Sequence, residues 1–429
     1  MKEKKIIPCI YLCNKIAVKG LQDRTLVDAD PLSLAKFYEN NGADALLIFD
    51  MSDSDESHEE ALDIIKSICM ELDIPVYGAG NVKRMEDIKK LLYAGCNKAA
   101  LNYSKQGNIE ITEEVSKKFG QDKIIACVAS VDEVSANKEL IASYCDMVLL
   151  VNPVKVHDTA AATSPQPLMV CLPELTLDKM INVLQIENLY GISGEAVTKN
   201  AAELNSLKNI LEENGVKITR LQSRFSWSEF KLNKDGLLPV IVQDYKTDEV
   251  LMMAYMNREA FEKTLETGLM TYFSRSRQSL WVKGETSGHY QHVQSLTIDC
   301  DMDTMLAKVI QTGVACHTGN KTCFFQTVME KEMKTEDNPL RVFEDVYEVI
   351  RDRKVNPKEG SYTNYLFDKG IDKILKKVGE EATEIVIAAK NPNSNEIKYE
   401  ISDFLYHVMV LMVEKGVTWA DITEDLAKR

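Results

Sequence analysis

Short apolar runs dominate the first half of the chain. Eight of them, IIPCIYL, ALLIFD, IPVYGAG, KAALNY, IIACVAS, MVLLVN, LMVCLP and LYGISG, read as strands buried on both faces. Between most of them lie amphipathic stretches such as HEEALDIIKSICMEL and MEDIKKLLYAG, whose apolar residues recur at three- and four-residue intervals. Alternating strands and helices predict a (β/α)8 barrel over residues 1–221. VKVHDTAAATSPQP has no clear helical pattern, so the second half of the barrel is expected to be abbreviated. The pattern then changes. LLPVIVQDYKTDEVLMMAYM is two β runs around a polar turn, a hairpin, and REAFEKTLETG is a helix stopped by Gly268. Residues 222–335 are therefore expected to form a compact α+β module. After the polar linker KTEDNPL, residues 340–429 carry a helical period and few β-rich runs, and an all-α domain is expected there.

Composition is that of an ordinary globular chain: 429 residues, 45% apolar and 27% charged. No apolar run approaches the roughly 20 residues that span a bilayer. The opening MKEKKIIPCIYLC has too short an apolar core for a secretory signal, contains Pro8 and runs straight into a strand pattern. Ten cysteines at irregular spacing suit a reducing, cytoplasmic setting better than a disulfide frame. The formal net charge of −15 argues against nucleic acid or an anionic membrane as partner. It also means that a phosphate-bearing substrate needs local Lys or Arg, or a metal.

Candidate chemistry gathers near residue 320. Cys300, Cys316 and Cys323 are the only cysteines after Cys171, spaced C-x15-C-x6-C. Three thiolates plus water is a catalytic-zinc pattern; buried structural cysteine is the alternative. Asp299, Asp301 and Asp303 alternate around Cys300. In an extended segment they project to one face and Cys300 to the other. Three carboxylates there suit Mg²⁺, or form a solvated acidic edge.

SRSRQSLWVKGETSGH, DCDMD and ACHTGNKTCF, in this order and spacing, resemble phosphoribosyl-AMP cyclohydrolase over about 100 residues. The resemblance implies hydrolysis of the N1–C6 bond of the adenine ring in phosphoribosyl-AMP, a step of histidine biosynthesis. It implies zinc on Cys300, Cys316 and Cys323, magnesium on Asp299, Asp301 and Asp303, and a homodimer, because the family draws its zinc ligands from two subunits. His317, beside a ligand, is placed to move a proton, or is a loop-packing histidine. His289 is a second candidate for that role. Arg275, Arg277 and Lys283 are candidates to meet the substrate phosphates, or are surface cations.

In the helical tail, Glu381 and Glu384 share one helix face, and Glu400 and Asp403 share a face of the next helix. Four carboxylates in one groove repel unless a cation such as Mg²⁺ neutralises them; a solvated helix face is the bland reading. SYTNYLFDKGIDKILKKVGEEATE, with E-x-x-E followed by E-x-x-D, resembles phosphoribosyl-ATP pyrophosphohydrolase, an all-α relative of the MazG-like nucleotide pyrophosphohydrolases. The implied reaction cuts phosphoribosyl-ATP between its α and β phosphates. Glu380 is a candidate base or a solvent-facing residue, and Lys373, Lys376 and Lys377 are candidates to steady the phosphates. His407, within FLYHVMVLM, reads as a core histidine.

Residues 1–221 resemble the cyclase subunit of imidazole glycerol phosphate synthase. The carriers are KIIPCIYL…VKGLQD, DPLSLAKFYENNGADALLIFDMS, IPVYGAGNVKRMEDIKKLLYAGCNKAALN and LKNILEENGVKITRL. Where that family has an Asp at the ends of strands one and five, Tyr11 and Ser130 stand here. Leu172-Pro173-Glu174 replaces the glycine pair after strand seven. Gly78, Gly80 and Asn102 remain, and GISG is only partly alike. A barrel without cyclase activity is expected, serving docking, assembly or regulation. Two other readings compete with the bifunctional enzyme: a phosphosugar-sensing regulatory protein with relic enzyme modules, and a general nucleotide pyrophosphohydrolase. The intact cysteine triad and both carboxylate pairs favour the enzyme.

Overall fold

The computed structural model describes residues 3–151, 163–329, 340–391 and 394–427. The chain divides into two compact units, Met1–Gln326 and Thr327–Arg429.

In the first unit, all eight apolar runs are strands of one sheet. Leu46–Asp50, Val76–Ala79, Lys98–Asn102, Ile124–Val128, Met147–Leu150, Leu168–Leu172 and Leu189–Gly194 pair in parallel, each with the next. The first run is split at Ile7-Pro8 into Lys5–Ile6 and Cys9–Cys13, because proline has no N–H to give to a ladder. Lys5–Ile6 pairs in parallel with the last strand, and Cys9–Cys13 pairs in parallel with Leu46–Asp50. One stretch of chain thus joins both edges, and the sheet closes into an eight-stranded parallel barrel. A hairpin, Ile16–Val18 with Leu26–Asp28, extends from the first strand.

Side chains alternate along the first strand. Ile10 and Leu12 pack outward under the helices, while Ile7 and Cys9 point into the barrel with Leu47, Phe49, Ile125, Leu149 and Met169. Among the described residues, helices follow seven of the eight strands: Pro31–Asn40, Asp55–Glu71, Met85–Tyr93, Gln106–Phe119, a broken pair from Val131 to Tyr144, Leu177–Leu184, and Leu204–Glu213 after two short turns. Starts follow sequence: Asp30 caps Pro31–Asn40 by accepting from Leu32 and Ser33 N–H, with proline at the first helical position. The segment expected to lack a helix, after Met147–Leu150, lies largely outside the described residues.

Charged groups close the barrel near the N-terminal ends of its strands. Lys4 is buried, and its Nζ donates to the carbonyls of Ile186 (2.6 Å) and Leu189 (2.7 Å). Lys208 and Asp44 form a buried ion pair of 2.8 Å, and the other Asp44 oxygen accepts from Ile6 N–H at 2.8 Å. Burial pushes the Lys208 pKa down, and Asp44 resists that.

Residues after the barrel form a four-stranded sheet in the order Val250–Met256, Leu238–Asp244, Met305–Gln311, Gln291–Ile298. The expected hairpin is its first pair. Helix Arg258–Thr267 ends at Gly268, whose φ of +74° is left-handed. Trp227, Phe230 and Phe261 cluster beneath it. A second hairpin, Thr271–Ser274 with Ser279–Val282, stands beside the sheet.

The second unit is helical: Arg341–Val355, Tyr362–Lys369, Ile371–Ala388, Ser394–Lys415 and Trp419–Ala427. Tyr347, Ile350, Leu366, Ile374, Met409 and Val413 make its core. Of the expected linker KTEDNPL, all but Leu340 lies outside the described residues.

Removing one member of a buried ion pair strands the other charge. Asp44→Ala is expected to destabilise the first unit by about 3–5 kcal/mol, read as a lowered denaturant midpoint. A change under about 1 kcal/mol would show that the Lys208 ammonium escapes to water.

Candidate active sites

A cleft of ≈1040 Å³ opens between the four-stranded sheet and the second hairpin. Arg275, Arg277, Lys283, His317 and Cys323 all line it. Strand Val250–Met256 supplies Met253 and Tyr255; the hairpin supplies Tyr272, Trp281 and Lys283. The Arg275 guanidinium lies 4.1 Å from the Tyr255 ring centre, and that of Arg277 lies 6.0 Å from Trp281. These are cation–π geometries that hold two cations on one wall.

The loop carrying Cys316 and Cys323 is a tight turn. Cys316 N–H donates to Asn320 O, Ala315 N–H to Lys321 O, and Gly319 takes a φ of +89°. Cys323 is anchored to the sheet through its N–H to Leu251 O (2.7 Å). The two thiols interact directly. A 3.0 Å contact with Thr318 Oγ1, then Cys323 and Lys283, lower the pKa of Cys316; burial and the Cys316 neighbour raise that of Cys323. Burial also lowers the pKa of Lys283, against the pull of both sulfurs. Two neighbouring thiols beside a cation, Cys323 lining the cleft and Cys316 buried, are fit donors for a zinc ion. Cys300 joins no metal-sized cluster with them among the described residues.

The DCDMD segment is not extended as expected. It is the turn between strands Gln291–Ile298 and Met305–Gln311, with Met302 at φ +64°. Asp299 N–H donates to Thr304 O, and Asp299 Oδ1 accepts from Asp303 and Thr304 N–H. The strand pairing forces a reversal there, which overrides alternation. The turn still brings Asp299, Asp301 and Asp303 together, with oxygens within 4.8 Å of one another, all exposed. Some desolvation opposes it, but those amides hold the Asp299 pKa below its ordinary value. His317 is exposed at the cleft. His289 is not among the cleft residues; it packs over Gly313, where a Cβ would come within 2.6 Å of its ring.

In the helical unit, Glu381, Glu384 and Glu400 offer oxygens within 4.8 Å of one another. Desolvation, then Glu384, Glu381 and Asp403, raise the Glu400 pKa. Asp403 is thus close enough to be felt but stands outside the tight trio. Such repulsion shows that the carboxylates share one region of negative potential. Glu380 points elsewhere: Lys377 (3.1 Å) and Lys376 (3.4 Å) pair with it and lower its pKa, which weakens it as a base. Lys373 is half-buried on the same helix.

His407 is buried, as expected, but it is not inert packing. Its Nδ1 lies 3.7 Å from Glu381 Oε1 and 2.8 Å from Asp403 O, and its Nε2 lies 3.1 Å from the Tyr362 hydroxyl. Sequence reading missed Tyr362 and this bridge. The signal was the four-residue step from Asp403 to His407, hidden by the apolar run around it.

The barrel mouth holds a smaller cavity of ≈570 Å³ lined by Tyr11, Lys19, Asp23, Cys171, Pro173 and Glu195, among others. Tyr11 stacks on Phe49 with centroids 5.4 Å apart. Ser130 caps helix Val131–Ala136 by accepting from Glu133 N–H. Glu174 pairs with Lys199, which also meets Glu195 at 3.4 Å. Among the described residues no helix is long and apolar enough to cross a membrane.

Three family models match the chain: histidine biosynthesis protein over residues 5–161, phosphoribosyl-AMP cyclohydrolase over 252–325, and phosphoribosyl-ATP pyrophosphohydrolase over 343–429. Among curated proteins, the histidine biosynthesis bifunctional protein HisIE of Thermoanaerobacter pseudethanolicus is 54% identical over 209 residues, covering 46% of this chain and 97% of that protein. HisIE of Bacillus subtilis is 49% identical over 201 residues (47% and 95%), and HisIE of Thermus thermophilus 46% over 202 residues (47% and 92%). With those relatives spanned almost end to end, and with both module families matched in order behind the barrel, the chain belongs to the HisIE family of bifunctional histidine-biosynthesis enzymes, a cyclohydrolase and a pyrophosphohydrolase on one polypeptide.

Proposed function

We propose that the helical unit cuts phosphoribosyl-ATP between its α and β phosphates, and that the cleft of the first unit then opens the adenine ring of the resulting phosphoribosyl-AMP at N1–C6. The observation that carries the second step is the convergence of Arg275, Arg277, Lys283, His317 and Cys323 on one cleft. Arg275 and Arg277, fixed over aromatic faces, hold the substrate phosphate. Tyr255 and Trp281 offer apolar surface to the base. Zinc on Cys316, Cys323 and Cys300 would supply an activated water at neutral pH. His317 delivers a proton to N1 as the C6–N1 bond breaks; His289, outside the cleft, is the second candidate. Cys300 comes from a second copy of the chain, which makes the working species a homodimer. Its separation from the other two thiols supports that reading, as do Ile241 and Met253, exposed on the open face of the sheet. Asp299, Asp301 and Asp303 are suited to Mg²⁺.

In the MazG-like helical unit, Glu381, Glu384, Glu400 and Asp403 hold Mg²⁺, which would neutralise the polyphosphate. Lys373, Lys376 and Lys377 stand on the same helix to meet phosphate oxygens. Glu381 is oriented by His407 and Lys377. Both reactions belong in the cytoplasm, where thiols stay reduced. The barrel has lost cyclase chemistry. Tyr11 is committed to a stack and Ser130 to a cap, and of the described cations Lys19 and Lys199 are already balanced by Asp23, Glu195 and Glu174.

Cys316→Ser is expected to abolish ring opening and leave pyrophosphate release nearly intact, with both products followed on one sample. Loss of both from a folded protein would mean that the sites depend on each other.

Glu384→Gln should give the reverse. Pyrophosphate release falls at limiting Mg²⁺, supplied phosphoribosyl-AMP is still opened, and calorimetric Mg²⁺ binding without substrate weakens. Unchanged Mg²⁺ binding would mark Glu384 as part of a solvated face.

The full chain, given ammonia and the cyclase substrate, is expected to form no imidazole glycerol phosphate. Positioned acids and bases contribute typically about 10²–10⁴-fold each, and both carboxylates are missing. Measurable turnover would overturn the inert-barrel reading.

A further inference from the structure

The barrel and the cyclohydrolase module meet through a small set of polar contacts. Asn205, at the start of helix Leu204–Glu213, donates from Nδ2 to Thr267 O at 3.2 Å. One turn on, Asn209 Nδ2 donates to Glu266 O at 2.8 Å. Both acceptors are among the last carbonyls of helix Arg258–Thr267, which lack partners inside their own helix. Barrel side chains thus complete the end of a cyclohydrolase helix. A third contact pairs buried His292 with Asn40: Nδ1 donates to the carbonyl at 3.0 Å.

Two glycines shape the seat. Gly42 of the barrel has φ +100°, and an added Cβ would lie 2.2 Å from Asn205 Oδ1. Gly268 of the cyclohydrolase has φ +74°, and a Cβ there would lie 2.4 Å from Asn205 Nδ2. The Asn205 amide therefore fills a slot that exists because neither wall has a side chain. Its backbone is held too, by Asn205 N–H to Asn41 O at 3.2 Å.

The seat leads into the cleft. Val293 N–H donates to Gly268 O, Met270 N–H to Gln291 O, and Lys283 N–H to Met270 O. Gln291 Oε1 accepts from the Tyr272 hydroxyl at 2.6 Å. Tyr272 and Lys283 line the cleft. The HisIE relatives are spanned almost completely by a match to under half of this chain, which leaves the barrel without a counterpart in them.

We propose that the barrel is a fixed intramolecular partner of the cyclohydrolase module, seated by Asn205 between Gly42 and Gly268, and that this seat steadies the segment from Gly268 to Tyr272, the residue at which it reaches the cleft wall. The proposal is independent of whether the barrel retains any catalysis, and it uses the cyclohydrolase reading for one readout only. The test is the full-length Asn205→Ala/Asn209→Ala variant against the parent, by hydrogen–deuterium exchange and by steady-state kinetics. Amides from 266 to 272 should exchange at least about tenfold faster, the effect of losing two hydrogen bonds of ordinary worth. KM for phosphoribosyl-AMP should rise more than kcat falls, and pyrophosphate release should not change. Asn209→Ala alone, at a half-buried position, should give a smaller change of the same kind and covers the case in which the double variant fails to fold. Unchanged exchange over 266–272 in a folded variant overturns the proposal, whatever the kinetics. Absence of ring opening in the parent protein would instead count against the cyclohydrolase reading and leave the exchange result to decide the seat.

Discussion

The buried ion pair between Asp44 and Lys208 ties together the parts on which the first unit depends. Asp44 sits just ahead of strand Leu46–Asp50 and also accepts from Ile6 N–H in the first strand. Lys208 belongs to the last barrel helix. One carboxylate thus links the first strand, the second strand and the final helix, where the sheet must close. The same helix carries Asn205 and Asn209 to the cyclohydrolase module. A buried pair is a weak source of net stability but a strong source of position, since each charge has one low-energy partner. Barrel closure and module seating share that single constraint.

Charge also organises the chemistry. A chain with a net charge of −15 that handles polyphosphates must concentrate its cations. It does so in the cleft, where Arg275 and Arg277 lie over aromatic rings and Lys283 is sheltered beside two thiols. The helical unit takes the opposite course. Its trio of glutamates builds up negative potential, and the raised Glu400 pKa records the repulsion. One site gathers positive charge; the other gathers negative charge.

Much of this was legible in sequence, for a physical reason. Strands of a closed parallel barrel are buried on both faces, so each appears as an unbroken apolar run, and all eight runs became strands. Gly268 marked a helix end that the left-handed region requires. Contacts set by tertiary geometry were not legible. The alternation of aspartates around Cys300 suggested an extended strand, but pairing of the flanking strands turns the chain back there. His407 looked like core because its neighbours are apolar, and only packing showed what its two nitrogens touch. Asn205 and its two glycines carry no local signal, since their partners lie 62 or more residues away in sequence.

The barrel separates its mouth from the groups that hold it together. In barrels of this class, loops at the C-terminal ends of the strands carry catalysis, while residues at the opposite end carry stability. Here Tyr11, Ser130 and Leu172-Pro173-Glu174 lie at the first end. The groups that close the barrel, Lys4, Asp44 and Lys208, cluster at the other. The seat for the cyclohydrolase module is built beside that second group, from Asn40, Asn41 and Gly42 just ahead of Asp44. Changes at the mouth therefore leave both the closure and the seat in place. What the barrel holds at one end is independent of what its mouth does at the other.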